Sequence, residues 1–219
     1  MRDPEQAGSR GWLLALHSSS DILGLALQPL GRPDTPPQTA VVALGRQLAN
    51  DLLPSVESLL PARQWHDLAR LAVATGPGGF TGTRLTVAMA RTLAQQLDLP
   101  LDGISSFHLI ARRSLMGQTS RQPVILLQAL PRHGLVAGLY RSDATTLAGV
   151  AELNAPRLYR DDDALTEALG PYARCDALPQ LPADVEALLV FSQEAAQRGL
   201  KAPWPPVVPL YPTSPVDRP

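Results

Sequence analysis

Residues 74–84 read ATGPGGFTGTR, and this stretch with its surroundings indicates the fold. It has glycine at positions 76, 78, 79 and 82. The preceding apolar run LARLAVAT, residues 68–75, predicts a buried strand. The alanine-rich pattern over residues 84–97 predicts a helix. A strand, a glycine loop and a helix in this order are typical of α/β proteins, and many phosphate-binding sites are built in this way.

The chemistry of a dedicated nucleotide loop is incomplete in this stretch. A P-loop needs a lysine and a hydroxyl group after its last glycine, but Gly82 is followed by Thr83 and Arg84, and the single lysine of the chain is Lys201. A dinucleotide-binding fingerprint needs the spacing Gly-x-Gly-x-x-Gly, and GPGGFTG is one residue too long. Backbone amides at the start of the helix could still bind an anion.

The alternative interpretation is a tight structural turn. Glycine permits positive φ and a close approach of two backbones. In this interpretation we expect Phe80 to fill the core and Arg84 to pair with a carbonyl or carboxylate group. Sequence chemistry alone leaves both uses of the loop open.

Composition narrows the class of protein. The 219 residues, of which 45% are hydrophobic and 18% charged, allow one large domain or two small lobes with a core. The net charge of −1 argues against a protein that only binds nucleic acid. One cysteine, Cys175, excludes a disulfide framework and fits a reducing compartment. No apolar run approaches the ~20 residues of a membrane span, so we expect a cytoplasmic protein.

Hydrophobic spacing predicts the remaining elements. Strands on either side of the polar turn HSSSD, residues 17–21, form one hairpin, and residues 122–140 form another. Ser105 or Ser106 is expected to cap a helix. Later segments predict helices over residues 164–170 and 192–200 and a short strand from Leu188 to Phe191. A further helix, kinked or divided at Pro54, is predicted from apolar residues at steps of three and four: Val41, Leu44, Leu48, Leu52, Val56 and Leu59.

The predicted helix at residues 84–97 is apolar over too wide an arc for a single buried face. Either it is buried on two sides within its own domain, or one edge contacts another subunit. Ala90 and Ala94 would let a neighbouring helix approach closely. The apolar residues of the helix are Leu85, Val87, Ala88, Met89, Ala90, Leu93, Ala94 and Leu97.

No residue pattern for catalysis or metal binding stands out. The four histidines, at positions 17, 66, 108 and 133, lack the spacing of metal ligands, and Cys175 has no histidine nearby in sequence. The run Asp161–Asp163 favours a solvated helix start over a cation site. We expect no catalytic residue, no cofactor and no metal ion in the isolated chain.

Four blocks in order resemble the TsaB (YeaZ) family, bacterial subunits of the machinery that makes threonylcarbamoyladenosine next to the tRNA anticodon. Residues 74–111 resemble the family's Gly-Pro-Gly-Ser-Phe-Thr-Gly-Leu-Arg loop with its helix and following strand end. The opening hairpin, residues 50–60 and residues 126–140 are similar to the other blocks, and VVPLYP at 207–212 is similar to the Pro-x-Tyr near the family's C-terminus. The signature positions are Gly76, Pro77, Gly78, Phe80, Thr81, Gly82 and Arg84.

The chain also departs from the family pattern. His17 stands where the family usually has Asp, Gly79 replaces Ser, Thr83 replaces Leu and Gln128 replaces Asp. The sequence Leu-Ala-Asn at 48–50 replaces the common His-Ser-Glu. These changes remove polar groups that nucleotide-handling relatives share, and they do not affect a scaffold role.

The resemblance implies a two-lobed α/β fold of the actin/Hsp70-like (ASKHA, ribonuclease H-like) class. The expected lobes span residues 11–112 and 121–210, with flexible tails at 1–10 and 211–219. The resemblance also implies a non-catalytic dimerization subunit that pairs with a TsaD-type transferase. A TsaE-type ATPase is expected to join this pair, and tRNA is expected to contact the subunit only indirectly. In the family, helices of the first lobe form the interface, and the helices at 41–60 and 84–97 match them. The expected interface residues on these helices are Leu48, Leu52, Leu85, Met89, Ala90, Leu93 and Ala94.

Three functional hypotheses follow. The first is a scaffold that activates the transferase, for which Ala90→Glu should abolish pairing without unfolding the chain. The second is an ATP-binding or peptidase-like enzyme of the same fold that acts alone. The third is a self-associating structural protein; a homodimer does not separate it from the first, because the same helix edge can pair with itself when the partner is absent.

Overall fold

The structure is a computed structural model, and it describes residues 11–43, 47–117 and 121–212. Two sheets organise the chain. The first has the strand order β3-β2-β1-β4-β5, and the second has the order β8-β7-β6-β9. In the first sheet β1 pairs antiparallel with β2 and parallel with β4, while β5 is parallel to β4. Each sheet contains the antiparallel hairpin that the sequence predicted at its start.

The strands and helices follow one another along the chain as follows: β1 Trp12–His17, β2 Ile22–Pro29, β3 Gln38–Ala43, α1 Leu48–Leu59, β4 Leu68–Ala74, α2 Phe80–Leu97, β5 Leu101–Ile104, α3 Ser106–Leu115, β6 Val124–Leu130, β7 Gly134–Ser142, β8 Val150–Tyr159, α4 Asp162–Leu169, β9 Ala173–Asp176 and α5 Ala183–Gln197. A 3-10 helix, Ala62–Asp67, leads into β4. Ser105 caps α3 by accepting a hydrogen bond from the Phe107 amide, and Asp161 caps α4, as the sequence indicated.

Helices cover both faces of the first sheet. Apolar residues of α1 and α2, such as Val56 and Val87, pack on one face. Those of α3 and α5, such as Leu109 and Leu188, pack on the other. Helix α3 also contributes Phe107 to the core of the second sheet, so it is shared by both lobes. The division between 11–112 and 121–210 remains a prediction, since α5 packs on the first sheet although it follows the second in sequence.

Two sequence expectations were wrong. The predicted strand Leu188–Phe191 lies in the middle of α5. This helix is packed between the first sheet and α3, so it lacks the polar stripe by which an amphipathic helix is recognised. The predicted helix beginning at Val41 was also wrong, because Val41 lies in β3 and pairs with Gly24 of β2. Leu44 lies outside the described residues, and α1 runs from Leu48 through Pro54 as one helix.

Candidate functional site at the glycine loop

The glycine loop connects β4 to α2 and lies directly on the β1–β2 turn. A β-carbon added to Gly78 would lie 2.2 Å from the carbonyl oxygen of Ser19. One added to Gly82 would lie 2.5 Å from the carbonyl oxygen of Ser18. The amide of Gly79 donates a hydrogen bond of 2.6 Å to the Ser19 carbonyl. Glycine is therefore used here for close contact between two backbones.

The other side of the loop is bonded to neighbouring segments. The Gly76 carbonyl accepts a hydrogen bond from the Ser106 amide at 2.7 Å, which ties the loop to the start of α3. The Thr75 carbonyl accepts one from the Leu210 amide at 2.7 Å, which ties it to the C-terminal segment. Pro77 is buried, and its bond to Gly76 is cis. Three separate parts of the chain thus fix the loop.

Buried hydroxyl groups join the β1–β2 turn to α2. The Ser18 and Thr86 hydroxyls are 3.1 Å apart, and the Thr86 hydroxyl also lies 3.1 Å from the Gly82 carbonyl, to which it can donate. Asp21 of the same turn lines an open cleft. The hydroxyl of Ser20 accepts from the Ile22 amide at 3.3 Å. The polar turn is part of the support of the loop.

His17 ends β1 and is fully buried. Desolvation lowers the pKa of its imidazole from 6.5 to about 4, so the side chain is neutral at pH 7. A neutral imidazole replaces the carboxylate that the family resemblance places at this position. Within the described residues, no group of three or more His, Cys, Asp or Glu side chains is arranged to hold a metal ion.

Phe80 does not fill the core, contrary to expectation. It is the first residue of α2 and is 53% exposed. The Tyr211 ring lies 5.2 Å from the Phe80 ring, measured between centroids. The Arg84 guanidinium lies 4.9 Å from the Phe80 centroid. Phe80 therefore contacts an aromatic ring and a guanidinium at the surface instead of the core.

An open cleft of about 470 Å³ lies beside the loop. The β1–β2 turn, the start of α1 and the start of α2 form its walls. The cleft presents hydroxyl groups and one carboxylate next to apolar side chains. Its lining residues include Ser20, Asp21, Ile22, Leu48, Phe80, Thr81 and Leu85.

The predicted contact residues of α1 and α2 divide into two groups. Leu85 and Met89 are half-buried at the surface. The other five are buried in the core of the lobe itself: Leu48, Leu52, Ala90, Leu93 and Ala94. Ala90 has no exposed surface, so Ala90→Glu would place a charge in the core and unfold the lobe. The assignment of these helices to an interface remains a prediction.

A second cleft, of about 400 Å³, lies between the lobes. It brings Ser105, His108 and Glu152 together. This grouping was not predictable from the sequence, because Glu152 lies on a strand of the second sheet. The Tyr140 hydroxyl donates to Glu152 at 3.0 Å. Burial and the Glu152 charge raise the pKa of Tyr140. His108 Nε2 lies 2.9 Å from the Val150 carbonyl.

The comparison with protein families gives one matching description. The model of the family "TsaD: tRNA N6-adenosine threonylcarbamoyltransferase" matches residues 42–199, which is more than half of the chain.

No helix within the described part of the chain is long and apolar enough to cross a membrane.

Curated relatives match over part of their length. The chain is 37% identical over 101 residues to the "tRNA threonylcarbamoyladenosine biosynthesis protein TsaB" of Bacillus subtilis (strain 168), covering 45% of this chain and 43% of the relative. It is 29% identical over 80 residues to the protein of the same name from Buchnera aphidicola subsp. Schizaphis graminum (strain Sg), covering 36% and 38%. The matched region thus spans less than half of either relative.

Solved structures extend the likeness in fold to nearly the whole chain. "YeaZ from Pseudomonas aeruginosa" superposes with a TM-score of 0.68 at 21% identity, covering 92% of this chain and 99% of that one. A protein "with similarity to peptidase YEAZ" from Pseudomonas aeruginosa gives a TM-score of 0.69 at 20% identity, covering 93% and 100%. The predicted two-lobed α/β fold of the actin/Hsp70-like class is confirmed. The chain belongs to the family that the TsaD model describes, and within it to the TsaB (YeaZ) proteins.

Proposed function

We propose that the protein is a non-catalytic scaffold subunit in the formation of threonylcarbamoyladenosine in tRNA. It binds and activates a TsaD-type transferase through the outer surface of α1 and α2. The observation that carries the proposal is what the glycine loop contacts. The Gly79 amide and the close approach of Gly78 and Gly82 hold the β1–β2 turn of the same chain. Helix α2 begins directly after this loop. The loop positions a helix instead of a ligand.

The site chemistry supports a role without catalysis. Phosphate binding would call for a charged side chain beside free backbone amides. The Gly79 amide is bonded to Ser19, and the cleft at the loop carries the Asp21 carboxylate, which repels an anion. At the end of β1, His17 is neutral and buried and supplies no carboxylate for a metal ion.

The cleft between the lobes also lacks a connected catalytic set. A peptidase-like site needs a hydroxyl, an imidazole and a carboxylate joined by hydrogen bonds. Ser105 is used as a helix cap and accepts from the Phe107 amide. His108 contacts a backbone carbonyl, and Glu152 accepts from Tyr140. The three groups share a cleft, and Tyr140 bonds both Ser105 and Glu152, but within the described residues the His108 imidazole is bonded to neither of them.

The surface of α2 offers a place for another protein. Leu85, Ala88, Met89 and Thr92 recur at helical spacing along one stripe, and all four are at least partly exposed. Leu53 of α1 is 47% exposed. Partly exposed apolar residues on two adjacent helices can supply the apolar centre of a subunit interface.

The partners follow from the family resemblance. A TsaD-type catalytic subunit contacts α1 and α2, and a TsaE-type ATPase joins the pair. The tRNA substrate is bound by the partners and meets this chain only indirectly, in the cytoplasm. When the partner is absent, the same helices can support a homodimer.

The test is depletion of the protein in its host, followed by mass spectrometry of threonylcarbamoyladenosine in bulk tRNA. We expect a sharp loss that the unchanged chain restores. Ala88→Glu should fail to restore it, because the change places a charge on the exposed stripe. The helix itself should be retained, since glutamate costs little helix stability. Ala168→Glu, the same change at an exposed position of α4, is the matched control and should restore it. Unaltered modification after depletion would overturn the proposal.

A further inference from the structure

Phe80 is exposed and yet held in place from two sides. The rings of Phe80 and Tyr211 form a tilted pair, and Arg84 stacks on Phe80 from one helical turn further along α2. An exposed aromatic side chain with fixed neighbours loses little conformational entropy when it binds. This is the property expected of an interface anchor.

The C-terminal segment fixes Tyr211. Residues 200–212, here called the strap, run along β5 and α2 towards the glycine loop. Arg91 of α2 donates to the Val207 carbonyl at 2.7 Å and stacks on Trp204. The Leu210 amide donates to the Thr75 carbonyl, next to Tyr211. The position of Tyr211 is therefore set by bonds from the strap to α2 and to Thr75, the residue after β4.

Among the described residues, Arg84 has no acidic partner. Within the residues that the structure describes, no carboxylate lies within ion-pair distance of its guanidinium, which is exposed. Within the described part of the chain, the guanidinium stacks on the Phe80 ring. An acidic group from outside the chain could bind this guanidinium in the fork geometry that arginine offers.

We propose that Phe80, Arg84 and Tyr211 form the anchor by which this chain binds its protein partner. The anchor enters an apolar pocket of the partner, and a carboxylate at the rim of that pocket pairs with Arg84. This inference rests on the proposed function. The anchor borders the cleft that Leu85 and the start of α1 also line, so it continues the proposed interface without a gap.

The chemistry favours a protein over a nucleic acid at this surface. Aromatic and arginine side chains can also stack on unpaired bases, but such sites depend on a basic surrounding. Asp21 lines the adjoining cleft, and the net charge of the chain is −1. Base stacking is therefore the competing outcome that the experiment must detect.

Isothermal titration of the purified TsaD-type partner into the full chain measures the anchor directly. Phe80→Ala should raise the Kd about 30-fold, as at a binding hot spot. Tyr211→Ala should weaken binding by a smaller factor, and the double variant should show less than the product of the two effects because the rings act together. Arg84→Gln should weaken binding and reduce its dependence on salt. Leu178→Ala, at a residue 62% exposed elsewhere on the chain, is the control.

The outcomes separate the two proposals. If the unchanged chain does not bind the partner, the proposed function fails. If it binds and Phe80→Ala binds equally well, the anchor is wrong while the proposed function stands. Thermal melting confirms that each variant is folded. If Phe80→Ala binds the partner normally but is retained less by tRNA in filter binding, the anchor stacks on a base and does not enter a protein pocket.

Discussion

Arg70 of β4 and Asp102 of β5 form an ion pair with two hydrogen bonds between neighbouring parallel strands. The Arg70 Nε donates to Asp102 Oδ2 at 2.6 Å, and Nη2 donates to Oδ1 at 2.9 Å. Both side chains are buried, with 5% and 11% of their surface exposed. Arg70 also donates to the Leu200 carbonyl, so the pair joins the first sheet to the start of the strap.

Asp102→Ala should lower the free energy of unfolding by about 3 kcal/mol, because it leaves a buried guanidinium without its counter-charge. Urea unfolding followed by circular dichroism measures the change. Arg160→Ala removes an arginine that is 85% exposed in its ion pair with Asp161 and should cost far less than Asp102→Ala. Equal losses in the free energy of unfolding would show that the buried pair stabilises the protein no more than the exposed pair does.

Gly78→Ala should destabilise the protein by about 1–3 kcal/mol, because the new methyl group would overlap the Ser19 carbonyl. Gly79→Ala is the matched control. An added β-carbon there lies 3.5 Å from its nearest neighbour, and the backbone has a φ of −54°, which any residue adopts. Thermal unfolding of both variants checks the prediction. A Gly78→Ala melting temperature equal to that of Gly79→Ala would mean that the loop can move away from the turn.

The stability of the first lobe should fall between pH 6.5 and pH 4. In this window the unfolded chain protonates His17, whereas the folded chain does not, because burial holds its pKa at about 4. The unfolded state thus binds more protons as the pH falls. The resulting loss in the free energy of unfolding reaches about 3 kcal/mol near pH 4. Chemical unfolding across this range measures it.

His17→Asn is the control for this titration. The amide does not ionise, so the slope of the unfolding free energy against pH should be flatter than in the unchanged chain. The raised pKa of Asp184 acts in the opposite direction and is common to both proteins. Identical slopes for the two proteins would show that His17 does not titrate as described.

Arg91→Gln should loosen the strap, because it removes both the bond to the Val207 carbonyl and the contact with Trp204. We expect faster hydrogen exchange over residues 200–212, with unchanged exchange in the second sheet. Mass spectrometry of peptic fragments resolves the two regions. Uniformly faster exchange in both would instead indicate a loss of global stability.

Calorimetry with millimolar ATP should give no binding heat for the isolated chain. The Gly79 amide of the loop is bonded to Ser19, and the chain has no lysine in the loop. Binding that Thr81→Ala weakens, but Ala168→Glu does not, would favour the ATP-binding alternative.

The first lobe was largely predictable from the sequence because its signals are local. The run at 68–75 and the glycines after it determine a strand and a turn, and Ser105 caps its helix through its own neighbours. Phe80 was predicted wrongly because an aromatic residue at a helix start is apolar by type, and only the tertiary position of the loop decides that it faces outward. Helix α5 was missed in part because burial on several sides removes its periodicity.

The grouping of distant residues lay beyond sequence reasoning. Tyr140 and Glu152 meet because β7 and β8 pair, and this register depends on the whole second sheet. Tyr211 reaches Phe80 only because the strap crosses the end of the first sheet. A proline-rich sequence predicts a loop or tail, but it gives no information about the surface on which that segment lies.

The position of α5 and the strap has a consequence for synthesis on the ribosome. The first five strands are complete by Ile104, but Leu188 and Val207, which pack on the two faces of that sheet, are translated near the end of the chain. A nascent chain that has just produced both sheets therefore has one face of the first sheet covered by α3 alone. Final closure of the lobe must wait until the C-terminal residues leave the exit tunnel, so a chaperone bound during translation would find its apolar target there.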